Sequence, residues 1–180
     1  MSTRARGKPP QLIVRRLSAN RQQGLLDCGP LRLRCALGRG GTRVVKREGD
    51  GATPWGRFGV QTAYFNPTAG RRPVTALTVQ AIGVDDGWCD AAGDRNYNRP
   101  VSHPYPASAE RLWREDGLYD IIVVLDYNIR PRLRQRGSAI FMHVARRGYQ
   151  PTEGCIALSR RDLIKVLRAV RQGSKVITCT

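Results

Sequence analysis

Apolar and polar positions alternate along much of this chain in short runs that break at glycine, proline and asparagine. Residues 12–17 read as a first strand. Leu25-Leu26 and residues 31–37 flank a Cys28-Gly29-Pro30 turn, which predicts a hairpin. Gly38-Arg39-Gly40-Gly41 turns again before a short strand at residues 43–47, and Gly49-Asp50-Gly51 and Thr53-Pro54-Trp55-Gly56 mark two more turns. Residues 58–64 and 74–81 continue the strand pattern. Residues 118–127, 138–144 and 175–180 complete it, and Ile121-Ile122-Val123-Val124-Leu125 has the length of a buried strand.

Helical spacing is clear in one place. Leu163, Ile164, Val166, Leu167 and Val170 share a face, Ser159 is placed as the N-cap with Asp162 three residues on, and Gly173 is placed as the residue that ends the helix. Ser108 is placed to cap a second, short helix through Leu112 and Trp113. Residues 83–107 are polar and rich in Asp, Gly, Asn and Pro, and a loop of that length inside a compact domain is usually functional. There is no βαβ alternation and no internal repeat. The expectation is a mainly β fold with one amphipathic helix, a β-sandwich or half-open barrel, forming a single domain over residues 11–180 behind a basic disordered tail at residues 1–10.

Length and composition fit that expectation. The chain has 180 residues, 41% of them hydrophobic, and no apolar stretch long enough to span a bilayer. Charge changes the picture: 31 Lys and Arg against 14 Asp and Glu leave a formal net of +17. Anionic polymers, lipid and nucleic acid are the partners such a balance favours. The arginines are scattered, however, and Arg32 and Arg34 alternate with Leu31 and Leu33 as on the wet face of a strand. The basic N-terminus has no apolar segment behind it, so no secretory signal is expected in this chain. A start downstream of one, export by another route and a cytoplasmic protein all remain open.

The chain has 5 cysteines, an odd number, so at least one lacks an intramolecular partner. Cys35 in register with Leu33, and Cys179 in register with Ile177, read as small core residues. If Cys155 is a working thiol, Cys28, Cys35, Cys89 and Cys179 allow three pairings. A zinc centre is disfavoured by counts: only His103 and His143 are present, with no Cys-x-x-Cys or His-Glu-x-x-His.

The candidate chemistry lies in two adjacent segments. Ser138-Ala139-Ile140-Phe141-Met142-His143 closes an apolar run on a histidine, and Cys155 follows twelve residues later in Thr152-Glu153-Gly154-Cys155-Ile156. A thiol needs a base to become a thiolate near neutral pH, and histidine has the matching pKa. Glycine before the cysteine lets the backbone approach a ligand and frees an N–H for an oxyanion.

These segments resemble the L,D-transpeptidase catalytic (YkuD-like) family of bacterial peptidoglycan cross-linking enzymes, whose members carry a strand-end His and, about a dozen residues on, Ser/Thr-x-Gly-Cys-Ile/Val. The run Lys46 to Phe58, with Thr53-Pro54-Trp55-Gly56 at its core, resembles the family's entry motif. Trp88-Cys89-Asp90 through Arg95-Asn96-Tyr97-Asn98, and the stretch from Tyr119 to Tyr127, resemble the branch without extra wall-binding modules. The likeness covers roughly residues 12–180.

The resemblance implies that Cys155 is the nucleophile, His143 the base, and Gly154 with Cys155 an oxyanion hole. It implies that Thr152 braces the loop, and that Thr152, Glu153, Tyr97, Asn98 and Arg146 border the substrate. No cofactor and no metal are implied. The expected reaction is acyl transfer from a peptidoglycan stem peptide to an acceptor amine, giving 3-3 or 1-3 cross-links. Hydrolysis (an L,D-carboxypeptidase) and transfer to a protein that becomes wall-anchored are the alternatives within the fold. An anionic-polymer or nucleic-acid binding module is the alternative outside it. The expected setting is the periplasm or cell envelope, and a monomer is favoured. The chain departs from the family pattern at Glu153, where many members have His or Arg, and at Ala157, where many have Arg. Arg146, Arg147, Arg95 and Arg99 are the sequence's candidates to supply that missing cation.

Overall fold

In a computed structural model of the protein, which describes residues 7–179, fourteen short strands and one α-helix form a mainly β fold. The strands are β1 Gln11–Arg16, β2 Gln23–Cys28, β3 Leu31–Ala36, β4 Thr42–Arg43, β5 Thr53–Pro54, β6 Gly56–Phe65 and β7 Val79–Ala81. They continue as β8 Asp86–Cys89, β9 Pro100–Ser102, β10 Ala109–Arg111, β11 Ile121–Leu125, β12 Phe141–Val144, β13 Ile156–Leu158 and β14 Lys175–Cys179. The helix, α1, is Arg160–Ala169.

Nine strands form one sheet in the order β11-β12-β13-β3-β2-β1-β14-β6-β7, and a further pairing of β11 with β6 closes it on itself. The sheet is thus barrel-like, the closed form of the expected architecture, with the short β7 paired on one side only. Inside it lies the main core, with Leu12, Val14, Leu26, Leu33, Val60 and Met142, capped by α1 through Leu163, Val166 and Leu167. Ser159 starts the helix as predicted: its Oγ accepts from the Asp162 N–H at 3.2 Å and donates to the Asp162 carboxylate at 2.9 Å. Each fully buried Leu or Val contributes about 1.5–3 kcal/mol relative to exposure.

A second core lies on the other face of β11 and β12. Alternation along β11 sends Ile121, Val123 and Leu125 into the barrel and Ile122 and Val124 outward. This explains why the run is apolar without a break: both of its faces are covered. The cover is a three-stranded sheet, β10-β8-β9, that brings Trp88 against Phe141 with ring centroids 5.2 Å apart.

Several expectations change here. The long polar loop at residues 83–107 contains β8 and β9. The helix expected after Ser108 is instead β10, because Ala109, Glu110 and Arg111 pair with Cys89, Trp88 and Gly87; cross-strand pairing overrides their helical propensity. Only Val79–Ala81 of residues 74–81 pairs as a strand. At residues 43–47 only Arg43 pairs, leaving Val44 and Val45 exposed. The helix ends at Val170 with extended backbone, so Gly173 serves the turn into β14 at φ 87° and does not terminate the helix. Cys179 and Ile177 are half-buried, and Val176 and Thr178 take the inward positions of β14. Cys35 is fully buried, as expected. All five cysteines are free thiols. Most of the expected disordered tail, residues 1–6, lies outside the described residues.

One buried ion pair supports the loop behind the second core. Lys46, at 2% side-chain exposure, meets Asp50 at 2.7 Å. Burial would raise the Asp50 carboxyl, but the Arg47 N–H, the Lys46 ammonium and the Ala52 N–H hold it below its ordinary value. Removing one partner leaves the other charge buried and unpaired. Lys46→Met is therefore expected to destabilise the fold by about 3–5 kcal/mol, read as a lower urea midpoint, and Lys46→Met with Asp50→Asn is expected to recover part of the loss.

Candidate active site

Strand β12 carries Phe141 and His143 two residues apart, so both face the second core. The chain then leaves the sheet, makes a short 3₁₀ turn at Arg147–Tyr149, and returns as β13, parallel to β12, with Ala157 opposite His143. That register sets Cys155, just before β13, alongside Phe141. The Phe141 N–H donates to the Cys155 Sγ at 3.4 Å, and the thiol donates to the Ala139 carbonyl at 3.2 Å.

The returning loop is clamped at Thr152. Its N–H donates to the Leu37 carbonyl at 2.9 Å, and its own carbonyl accepts from the Arg39 N–H at 2.8 Å. Its hydroxyl donates to the Cys155 carbonyl at 2.7 Å and accepts from the Gly154 N–H at 3.1 Å. These four bonds tie the loop down at Thr152. The Gly154 N–H, expected to face an oxyanion, is turned to the Thr152 hydroxyl instead. Gly154 is required for another reason: its φ is 132°, and a Cβ there would sit 2.8 Å from the Ala52 carbonyl oxygen.

His143 is 6% exposed. Its Nδ1 lies 2.9 Å from the Val144 carbonyl oxygen. A carbonyl can only accept, so Nδ1 carries the ring proton and Nε2 keeps the lone pair of a base. Burial pulls the imidazole down to about 4, and Arg114 and Arg146 add to the fall. Burial likewise pushes the Cys155 thiol up to about 12; Glu110 and Glu153 reinforce this, while the Phe141 N–H and Lys46 oppose it. Burial thus holds the thiol and the imidazole uncharged near neutral pH.

Both groups line one cavity of about 450 Å³, together with Thr152, Glu153, Arg146 and Ala157. The same cavity is lined by Glu48, Glu110, Arg114 and Tyr119, which the sequence analysis did not place in the site, and by Asp90 of the polar segment 83–107. Asp90 has a buried carboxylate oxygen, Oδ1, with no hydrogen-bond partner. Four carboxylates therefore border the pocket of a chain whose net charge is +17. Glu153 is exposed at the rim and paired with Arg39 at 2.8 Å. Ala157 is 1% exposed. Among the arginines proposed to replace the family cation there, Arg146 lines the cavity; Arg147, Arg95 and Arg99 do not.

Tyr97 and Asn98 do not line the cavity; both are buried behind it. The Tyr97 hydroxyl donates to Glu48 at 2.5 Å, and Ser138 donates to the same carboxylate oxygen at 2.9 Å. Asn98 accepts from the Trp88 indole at 2.8 Å and from the Ala139 N–H at 3.1 Å. Its amide donates to the Tyr127 and Asn128 carbonyls. With every polar atom engaged within the fold, Asn98 has none to offer a substrate. It fixes Ala139, a non-glycine residue at φ 50°, whose carbonyl holds the thiol. His103 lies against Gly87 and does not border the cavity. Among the described residues no group of three His, Cys, Asp or Glu is arranged to hold a metal, and no helix is long and apolar enough to cross a membrane.

Residues 13–178 match the family model described as L,D-transpeptidase catalytic domain (YkuD), and the chain belongs to that family. Among solved structures it is similar to an L,D-transpeptidase from Mycobacterium smegmatis, at 13% identity and a TM-score of 0.44, over 97% of this chain and 60% of that one. An L,D-transpeptidase from Mycobacterium tuberculosis H37Rv gives 14% identity and a TM-score of 0.43, over 95% and 58%. L,D-transpeptidase 3 from the same species gives 14% and 0.42, over 95% and 62%. The chain thus spans about three fifths of the length of these proteins. No curated protein matches it.

The lowered pKa of His143 makes stability depend on acid. Below about 6.5 the unfolded chain binds a proton that the folded site refuses until about 4. The unfolded state then holds more protons, so stability falls as pH drops through that window. Urea midpoints measured from pH 7 to pH 4 are expected to fall for wild type, and to fall less steeply for His143→Gln.

Proposed function

We propose that the protein is a cysteine L,D-transpeptidase acting on peptidoglycan stem peptides in the cell envelope. The observation that carries this reading is the pairing of a buried thiol, Cys155, with a base-competent imidazole, His143, on the wall of one cavity. His143 Nε2 takes the thiol proton, and the sulfur attacks a stem-peptide carbonyl. The Cys155 N–H stabilises the tetrahedral oxyanion. His143 returns the proton to the departing amine, which leaves with its amino acid, and a thioester remains. An acceptor amine on a second stem then repeats the sequence in reverse and forms a 3-3 or 1-3 cross-link. Water as acceptor would make the product that of an L,D-carboxypeptidase.

The cavity favours this chemistry over polymer binding. A surface evolved only to hold an anion would not line its pocket with Glu48, Asp90, Glu110 and Glu153.

Incubation with defined muropeptides and mass spectrometry of the products tests the reading. Cross-linked dimers are expected with wild type and none with folded Cys155→Ala; turnover by that variant would overturn it. His143→Ala is expected to slow thioester formation by on the order of 10² to 10⁴ at neutral pH. Because burial holds the thiol so high, that deficit is expected to narrow only well above pH 9.

A carbapenem offers a strained acyl group to the same nucleophile. A covalent adduct is expected on the intact protein, mapping by peptide mass to Cys155. An adduct confined to Cys28, Cys35, Cys89 or Cys179 would show that the reactive thiol lies elsewhere.

A further inference from the structure

The cavity contains a carboxyl group to which acyl transfer assigns no task. Glu110 sits on β10, across from Trp88 of β8, and lines the same cavity as Cys155. Its Oε1 accepts from the Tyr119 hydroxyl at 2.5 Å. Tyr119 in turn sets its ring edge-on to His143, with centroids 5.4 Å apart and planes at 76°. The same ring meets Phe141 at 6.2 Å, and the Arg114 guanidinium covers it at 5.1 Å. Arg114 is itself held by both Asp116 oxygens, at 3.0 and 2.5 Å. A tyrosine gripped at its hydroxyl, its edge and its face has one orientation, and the imidazole packs against it. Glu110 holds the hydroxyl end of that chain of contacts.

We propose that Glu110 is a positioning residue for this site, orienting His143 through Tyr119, and that its carboxylate, on the wall of the cavity it shares with Cys155, acts on the thiol across that cavity. The proposal rests on the acyl-transfer reading for its first half only; the second half concerns the thiol itself.

The groups facing Glu110 are Tyr119, Arg114, Asp90 and Glu48, from three segments of the chain. Burial raises its carboxyl, and Asp90 and Glu48 add to the rise; Tyr119 and Arg114 oppose it. The carboxyl therefore changes charge closer to neutrality than an ordinary glutamate does. Glu110 and Cys155 line the same cavity, so the charge of one is felt by the other. After burial, Glu110 is the largest cause that raises Cys155, while Lys46 works the other way. When Glu110 is ionised, thiolate formation is opposed. When it is neutral, that opposition is gone. A proton does this, and so does a cationic group of a bound substrate.

Three variants separate the two roles. Glu110→Gln keeps an acceptor for Tyr119 and removes the charge. Glu110→Ala removes both, and Tyr119→Phe removes the hydroxyl alone. Thermal melts establish that each is folded. The first measurement is the pH–rate profile for alkylation of Cys155 by iodoacetamide, which needs no wall substrate. Glu110→Gln is expected to move that profile to lower pH; an unmoved profile overturns the charge role. The second is acyl transfer between defined muropeptides. Glu110→Ala and Tyr119→Phe are each expected to lower kcat by about 10- to 100-fold with KM little changed, and Glu110→Gln to recover most of the loss. The double variant Glu110→Ala/Tyr119→Phe is expected to be no slower than the slower single, as for residues acting along one path. Losses that multiply, or a Tyr119→Phe variant with wild-type kcat, overturn the positioning role. If wild type turns over no muropeptide yet Glu110→Gln moves the alkylation profile, the function reading fails and the charge role stands.

Discussion

The sulfur of Cys155 is held inside an apolar wall, between the Phe141 N–H and the Ala139 carbonyl. A thiol in that place resists ionisation, because a thiolate would lose most of its hydration. The surrounding geometry follows from this constraint. His143 is buried on β12, which pairs with the strand after Cys155, and its Nδ1 is committed to a backbone carbonyl. The loop carrying the thiol cannot drift, so Thr152 ties it to Leu37, Arg39 and its own glycine. Burial raises the barrier to forming the nucleophile, and it also means that a charge formed there is felt strongly by every nearby dipole.

Strands β11 and β12 make this burial possible by serving two cores at once. Their inward residues fill the barrel; their outward residues, Ile122, Val124 and Phe141, meet the small sheet that carries Trp88 and Glu110. The active site is the place where this second layer stops short and leaves a cavity. The barrel therefore fixes the thiol and the imidazole, and the small sheet brings Glu110 and Asp90 to the same cavity.

The first layer was legible in the sequence and the second was not. Cys155 and His143 stood out because glycine, spacing and a capped helix all agreed around them, and the helix began at Ser159 as read. Glu110 did not stand out, because its strand, β10, is three residues long and made of helix-forming types, and Arg114 and Tyr119 lie in the irregular segment that follows it. Such a strand exists only by virtue of its partner across the sheet, and pairing of that kind leaves no local pattern. Asn98 was read as a substrate neighbour on grounds of loop length and resemblance. Its actual task, holding the Ala139 backbone, is a tertiary contact across 41 positions of chain. Cys179 was misread by parity: alternation reveals that one face of a strand is buried, and the end of β14 takes the other face inward.

For anyone redesigning this cavity to accept another acyl group, Ala139 divides the pocket into a rigid side and a replaceable one. Its left-handed backbone is kept in place by Asn98, which is tied in turn to Trp88, Tyr127 and Asn128. Removing the Asn98 amide would release the backbone whose carbonyl holds the thiol. Across the mouth, Glu153 and Arg39 form an ion pair in open solvent, where such pairs contribute little to the fold. Selectivity can be rewritten at that rim one residue at a time, while the thiol wall has to be inherited whole.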